Sequence, residues 1–211
     1  MERYAGQPQT AWALHTKADI LLQLHRPDDA RAIFDLLIEK YSSNLTAVID
    51  AHMGIAGIAR DAGQTGDAVE RYRLVAEKFI DYPQAAQAMT ALAQIYQEQG
   101  RDKELQAVLE RLLELTSADS NTIANGRITL ATLFARQRKT RAALEQYAHV
   151  YNDFPKTTQA AWAMTSAARL LNENGDQSGA VKLFEQVIAD FPENHEAVIG
   201  AKAALEQIYE R

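Results

Sequence analysis

Small and apolar residues recur along the chain in a spacing that repeats five times. The clearest marker is a small residue followed four positions later by an aromatic one, with leucines at both positions in the third copy. Successive pairs begin 38, 37, 38 and 37 residues apart. Because an i, i+4 spacing places both residues on one helix face, each pair predicts a helix with a buried face. The pairs are Ala30 and Phe34, Ala68 and Tyr72, Leu105 and Leu109, Ala143 and Tyr147, and Ala180 and Phe184.

A second helix is predicted before each pair, because small and apolar residues recur there at helical spacing over about fifteen residues. Twelve positions before the pair the residue is always alanine: Ala18, Ala56, Ala93, Ala131 and Ala168. Between the two helices, three copies carry a glycine that suits the left-handed backbone of a helix end: Gly63, Gly100 and Gly175. The first copy has Arg26-Pro27-Asp28-Asp29 instead, and we expect it to turn by a different route.

Each copy is therefore a helical hairpin, and stacked hairpins bury faces that one hairpin cannot bury alone. The sequence predicts an all-α protein with a single domain over residues 1–211. The hairpins are expected at about 10–43, 44–83, 84–119, 120–155 and 156–192, with a last helix over 194–210.

The repeated pattern resembles the tetratricopeptide repeat (TPR). The third copy carries the resemblance in Leu92-Ala93, Tyr96, Gly100 and Leu105-x-x-x-Leu109, and the fifth in Ala167-Ala168, Leu171, Gly175, Ala180-x-x-x-Phe184 and Pro192. The resemblance implies a right-handed α-solenoid of five hairpins with a capping helix. The family period is about 34 residues, so these copies are longer by about one helical turn. Long copies that end in an aromatic residue and proline are similar to those of bacterial cell-envelope TPR proteins of outer-membrane assembly and the Tol–Pal system.

Two copies depart from the pattern. In the third, Thr116 replaces the usual aromatic residue and a polar stretch follows to Asn121, so we expect a local irregularity there. In the last helix, Glu206 stands where alanine is otherwise constant. That helix is either a polar cap or the remnant of an array with further hairpins.

Composition excludes several kinds of chemistry. The chain has no cysteine, which excludes disulfides, thiol catalysis and cysteine-bound metal, and its 37 alanines fit closely packed helices. The net charge of -6 argues against nucleic acid as a partner. Residues 1–4 do not open a secretory signal. We expect a periplasmic or envelope-associated protein if a signal has been removed, and otherwise a cytoplasmic one.

No catalytic motif is present. The sequence lacks phosphate-binding glycine loops, a Gly-x-Ser-x-Gly elbow and His-Glu-x-x-His. His15 and Asp19 are either half of a metal site or a hydrogen-bonded surface pair. Asn44-Leu45-Thr46 is either a glycosylation sequon or a helix cap. We therefore predict no catalytic residue, metal or cofactor.

In the TPR family the first helix of each hairpin lines a concave groove, so the resemblance implies which residues contact a partner. Trp12 and Trp162 share one position in the first and fifth copies, where they are either binding hot spots or packed against the helix starts. No Lys/Asn pair stands where some relatives hold a C-terminal carboxylate, so we predict no such binding. The implied groove residues are Trp12, His15, Asp19, Gln23, Asp50, Arg60, Thr90, Gln94, Asn125, Thr132, Arg136, Trp162, Thr165 and Arg169.

The turn of the fourth copy is basic, with Arg136, Arg138, Lys139 and Arg141 close together. It is either an incidental solvated turn or a patch for an acidic partner. These features predict a non-catalytic scaffold that binds a peptide or a partner helix in its groove. The expected partners are proteins or peptides, with no nucleic acid and no direct insertion into a membrane. The alternatives are an oligomerisation module that associates through its end helices, in a secretion or export assembly, and a cytoplasmic adaptor.

Overall fold

The computed structural model describes residues 8–210, and every regular element in that range is a helix. This confirms the prediction of an all-α protein built from helical hairpins. Residues 1–4, on which the expectation of no secretory signal rests, lie outside the described residues. The helices are α1 (Pro8–Gln23), α2 (Pro27–Lys40), α3 (Leu45–Asp61), α4 (Thr65–Lys78), α5 (Pro83–Glu98), α6 (Asp102–Leu113), α7 (Ser120–Arg136), α8 (Thr140–Asp153), α9 (Thr158–Glu173), α10 (Gln177–Asp190) and α11 (His195–Tyr209).

The helices form two compact units. One unit comprises Met1–Val108 with Leu115–Ser117, and the other comprises Leu109–Glu114 with Ala118–Arg211. Within the first unit each of α1 to α4 packs on the next helix, and α3 also contacts both α1 and α5. Within the second unit α7 to α11 pack in the same way, and α9 contacts both α7 and α11. The single domain and the repeat bounds stay predictions.

The repeated small residues form the centre of each hairpin. The five constant alanines, which stand twelve positions before the residue pairs that mark the second helices, are at most 5% exposed. Phe34 and Phe184, the aromatic residues of the first and fifth pairs, are each 1% exposed. Alanine at the crossing lets the two helix axes approach, and the ring fills the space beside it. The spacing read from the sequence therefore identifies the core.

All five hairpin turns of the described residues have the same backbone conformation. The residue five positions before each pair has a positive φ, and the next residue's N–H donates to a carbonyl five positions earlier, which is a Schellman helix end. Glycine fills this position in three turns, His25 (φ 55°) in the first and Arg138 (φ 60°) in the fourth. The expectation of a different route in the first turn is therefore wrong, although Pro27 does begin α2 as predicted.

The third hairpin is irregular at its second helix. Helix α6 has 12 residues, whereas α2, α4, α8 and α10 each have 14. The polar stretch after it contains Asp119, whose carboxylate caps α7 by accepting from the N–H of Thr122 at 3.0 Å. Helix α7 therefore begins with a side-chain cap directly after the irregular stretch, because capping oxygens satisfy amides that a helix start leaves open.

Two polar residues that the sequence pattern singled out have distinct environments in the structure. Asn44 caps α3, since its side-chain oxygen accepts from the N–H of Ala47 at 3.2 Å. Glu206 on α11 is exposed, whereas the alanines at the same position in the five hairpins are buried. Among the helices of residues 8–210, none is long and apolar enough to span a bilayer.

Candidate protein-binding face

None of the fourteen implied groove residues is buried. In the first unit, several of these side chains contact each other or their neighbours. His15 Nδ1 lies 3.2 Å from Asp19 Oδ2, and the His15 ring meets Phe34 edge to face at 5.7 Å. No third metal-binding side chain joins this pair within residues 8–210. Gln23 and Gln94 are exposed to solvent.

Polar contacts also tie successive groove helices of the first unit together. Asp50 Oδ1 on α3 accepts a hydrogen bond from Gln84 Nε2 on α5 at 2.8 Å. Arg60 pairs with the neighbouring Asp61 at 3.2 Å on the same helix. The charge of Arg60 is therefore partly compensated by Asp61, in an exposed pair that contributes little to stability. The carboxylate of Asp50 keeps its charge but has one oxygen occupied by a neutral amide.

The threonines of the groove use their hydroxyl donors within their own helices. Thr90, Thr132 and Thr165 each donate their hydroxyl to the carbonyl four residues earlier, at 2.8–2.9 Å. Threonine often bonds back to its own helix in this way. These hydroxyls can still accept a hydrogen bond, but a partner finds no free hydroxyl donor on them.

The two tryptophans are accessible in different ways. Trp12 on α1 is 72% exposed. Trp162 on α9 is 47% exposed, and its ring meets Tyr147 on α8 edge to face, 6.0 Å between centroids and 64° between planes. Tyr147 is itself buried, and its hydroxyl lies 3.3 Å from the Thr132 hydroxyl. Trp162 is therefore held in place from one side and open on the other.

A cavity of about 180 Å³ opens beside Trp162 in the second unit. Helix α9 contributes one wall, which includes three of the implied groove residues. Helix α11 contributes the other wall, which the sequence did not predict, because this helix was interpreted as either a cap or the remnant of a longer array and not as part of the groove. The lining residues are Thr158, Trp162, Thr165, Ser166, Arg169, Asn194, Glu196, Ala197 and Gly200.

A larger cavity, of about 580 Å³, lies in the first unit between the first two hairpins. Of the implied groove residues, none lines it. It exists because α3 carries Gly54 and Gly57 where the other groove helices carry side chains; Gly57 matches Gln94 and Arg169 in the repeat spacing. A missing side chain at a groove position is the sequence signal that could have revealed this cavity.

The basic turn is exposed at all four of its residues. The Lys139 ammonium lies 5.4 Å from the centre of the Phe134 ring, a cation–π contact, and Arg138 holds the left-handed position of the turn. Within the described residues, Arg138, Lys139 and Arg141 form no ion pair. The choice between a solvated turn and an acidic-partner patch stays open.

Two sequence models of one repeat family match the chain. Both are described as tetratricopeptide repeat, and they match residues 53–120 and 162–194. The chain carries tetratricopeptide repeats. The finer resemblance to cell-envelope TPR proteins stays a prediction. No curated protein matches the sequence.

Solved TPR structures share the fold at low sequence identity. YrrB, described as a TPR protein with an unusual peptide-binding site, is 18% identical, with a TM-score of 0.59 and 90% of each chain covered. MamA is 16% identical, with a TM-score of 0.64, covering 90% of this chain and 96% of MamA. A TPR protein from Parabacteroides merdae ATCC 43184 is 14% identical, with a TM-score of 0.66, covering 96% and 80%. Identities this low establish the TPR fold alone.

Proposed function

We propose that this TPR protein is a non-catalytic scaffold that binds an extended peptide or a partner helix on the face formed by the first helices of its hairpins. The observation that carries the proposal is the accessibility of every implied groove residue, including two tryptophans, beside a closely packed alanine core. Exposed tryptophans are frequent binding hot spots. The YrrB structure is described as having a peptide-binding site, which supports the same use of the fold.

We further propose that the scaffold works in a bacterial envelope complex. The support is the resemblance of its long repeats to TPR proteins of that compartment. Four of the five repeats end in an aromatic residue, and proline follows that residue in two of them. A cytoplasmic adaptor is the alternative. Cell fractionation of the native producer, with an antibody against this chain, distinguishes the two compartments.

Truncation of groove side chains tests the scaffold proposal. Peptides selected by display against the wild-type protein should lose about tenfold or more in affinity on Trp12→Ala or Gln94→Ala, because hot-spot contacts dominate binding energy. Fluorescence polarisation with labelled peptides measures the dissociation constants. Leu36→Ala and Glu77→Ala, at exposed positions of second helices, are matched controls that should leave binding unchanged. Equal losses in the controls, or selections that yield no binder, would contradict the proposal.

A second candidate function is that of an oligomerisation module, and an exposed apolar residue on the first helix favours it. Ile20 on α1 is 49% exposed, whereas Ile95, Leu133 and Leu170 at the same repeat position are at most 8% exposed. Self-association that covers Ile20 would raise the solution mass with concentration, and Ile20→Lys would restore the monomer mass in light scattering. A wild-type monomer at all concentrations would rule this candidate out.

A further inference from the structure

We propose that the cavity between α9 and α11 binds an acidic side chain of a partner, with an apolar residue two positions away in the partner packing on Trp162. This inference rests on the proposed scaffold function and names the chemistry of the bound segment. The sequence pattern placed Arg169 and Trp162 in the groove but gave them no ligand, and it gave α11 a binding role only as an end helix in self-association.

The size of the cavity indicates what it can hold. Pockets for drug-sized ligands and cofactors have volumes of about 300–1,000 Å³. At about 180 Å³ this cavity is smaller, and it suits one amino-acid side chain better than a free small molecule. It is bounded by helices on two sides, so its walls are set by the fold rather than by a loop.

Arg169 provides the charge that selects the ligand. Its side chain is exposed and forms no ion pair or hydrogen bond with the described residues. Its guanidinium lies against the bare backbone of Gly200 on α11, since a Cβ built there would be 3.6 Å from Arg169 Nη2. A guanidinium presents two parallel N–H groups that match the oxygens of a carboxylate. The absent side chain at Gly200 leaves room for that carboxylate to enter.

Trp162 provides the apolar wall. Because its ring already rests on the buried Tyr147, little side-chain freedom is lost when a partner packs against it. Trp162 and Arg169 are seven residues apart on one helix, which separates their Cα atoms by about 10 Å. Alternate side chains of an extended peptide lie about 7 Å apart on one side. The length of the arginine and of the partner's acidic side chain spans the difference.

Glu196 opposes this selection from the other wall. It is exposed in the first turn of α11, lines the same cavity and forms no ion pair with Arg169. A bound carboxylate is therefore repelled by Glu196 while it pairs with Arg169. Removal of the Glu196 charge should strengthen binding, and this sign separates an acidic ligand from a basic one, which Glu196 would attract.

The test uses the full chain carrying Trp12→Phe, so that Trp162 gives the only indole N–H signal in a nitrogen–proton NMR spectrum. The probe is a capped peptide with the core Glu-Ser-Phe-Ser-Glu, whose symmetry allows either chain direction and whose only charges are its side chains. We expect saturable movement of the indole signal with a dissociation constant on the order of 1 mM. The matched peptide with glutamine in place of glutamate should bind about tenfold more weakly.

Three variants locate the binding. Arg169→Gln should weaken binding of the acidic peptide about tenfold and remove the difference in affinity between the two peptides. Lys182→Gln removes one positive charge from an exposed position of α10 and should leave both affinities unchanged. Gly200→Leu should abolish binding by filling the cavity, yet should not lower the melting temperature, because leucine favours helix more than glycine does. Glu196→Gln should strengthen binding.

Several results would overturn the proposal: equal binding of the two peptides, an unchanged affinity in Arg169→Gln, or a preference for the matched lysine peptide that Glu196→Gln removes. A selected peptide that depends on Trp12 and Gln94 but binds normally to Gly200→Leu would refute this cavity and leave the scaffold proposal standing. If no selected peptide lost affinity on Trp12→Ala or Gln94→Ala, the scaffold proposal would be refuted instead.

Discussion

Ala168→Glu should lower the free energy of unfolding of the second unit by about 3 kcal/mol or more, since it buries a carboxyl group without a partner. Ala168 is fully buried and belongs to a cluster with Phe184 and Val187. The chain itself carries glutamate at the equivalent position of α11, Glu206, but there the side chain is in solvent. The same residue is thus tolerated or excluded according to whether a second helix covers the position.

Urea unfolding followed by Trp162 fluorescence, in the Trp12→Phe background, measures this effect within the second unit. Ala203→Glu is the matched control, because Ala203 is an exposed alanine on α11 and the chemical change is identical. The control should shift the free energy of unfolding by less than about 0.5 kcal/mol. Similar midpoints for the two variants would show that the constant alanine is not a packing requirement.

Gly54→Ala and Gly57→Ala should change the stability of the first unit in opposite directions, although the residues are one turn apart on α3. A Cβ at Gly54 would lie 2.4 Å from Cζ of the buried Phe34 ring, so the ring must move, and overpacking of this kind costs about 1–3 kcal/mol. A Cβ at Gly57 meets nothing nearer than the Tyr72 hydroxyl at 4.0 Å. There the gain of about 1 kcal/mol from replacing glycine in a helix should remain.

Thermal and urea unfolding of the two variants, compared with wild type, test this pair. The variants serve as each other's control, since the substitution, the helix and the unit are the same. Gly54→Ala together with Phe34→Leu should recover part of the lost stability, because the smaller side chain relieves the clash. Stabilisation by both alanines would mean that Phe34 moves aside without cost.

The sequence predicted the core well because the core repeats. Ala131 or Phe184 alone indicates little, but residues of the same kind at intervals of 37–38 can only reflect a packing position that recurs. The binding face could be predicted less well, because groove residues differ from copy to copy. The family resemblance placed Trp162 and Arg169 on the groove face. Neither the spacing nor the resemblance predicted that Gly200 of α11 lies opposite them.

Hydrogen bonding was also beyond the sequence. Its place in the repeat put Thr165 in the groove but did not reveal that its hydroxyl donates to its own helix at Ala161. Whether a threonine bonds back or faces outward depends on its rotamer, which residue type and spacing do not determine. The carboxylate of Asp50 likewise accepts a hydrogen bond from Gln84, and the repeat spacing did not predict that these two residues meet.

The uniform hairpin turn bears on how repeats of this kind are recognised and counted. The three turns with glycine, at Gly63, Gly100 and Gly175, lie inside the two stretches that match the TPR family. The turns at His25 and Arg138 lie outside those stretches, yet their backbone is the same. Within residues 8–210, a census of repeats based on conventional turn residues would therefore find three hairpins where backbone geometry finds five.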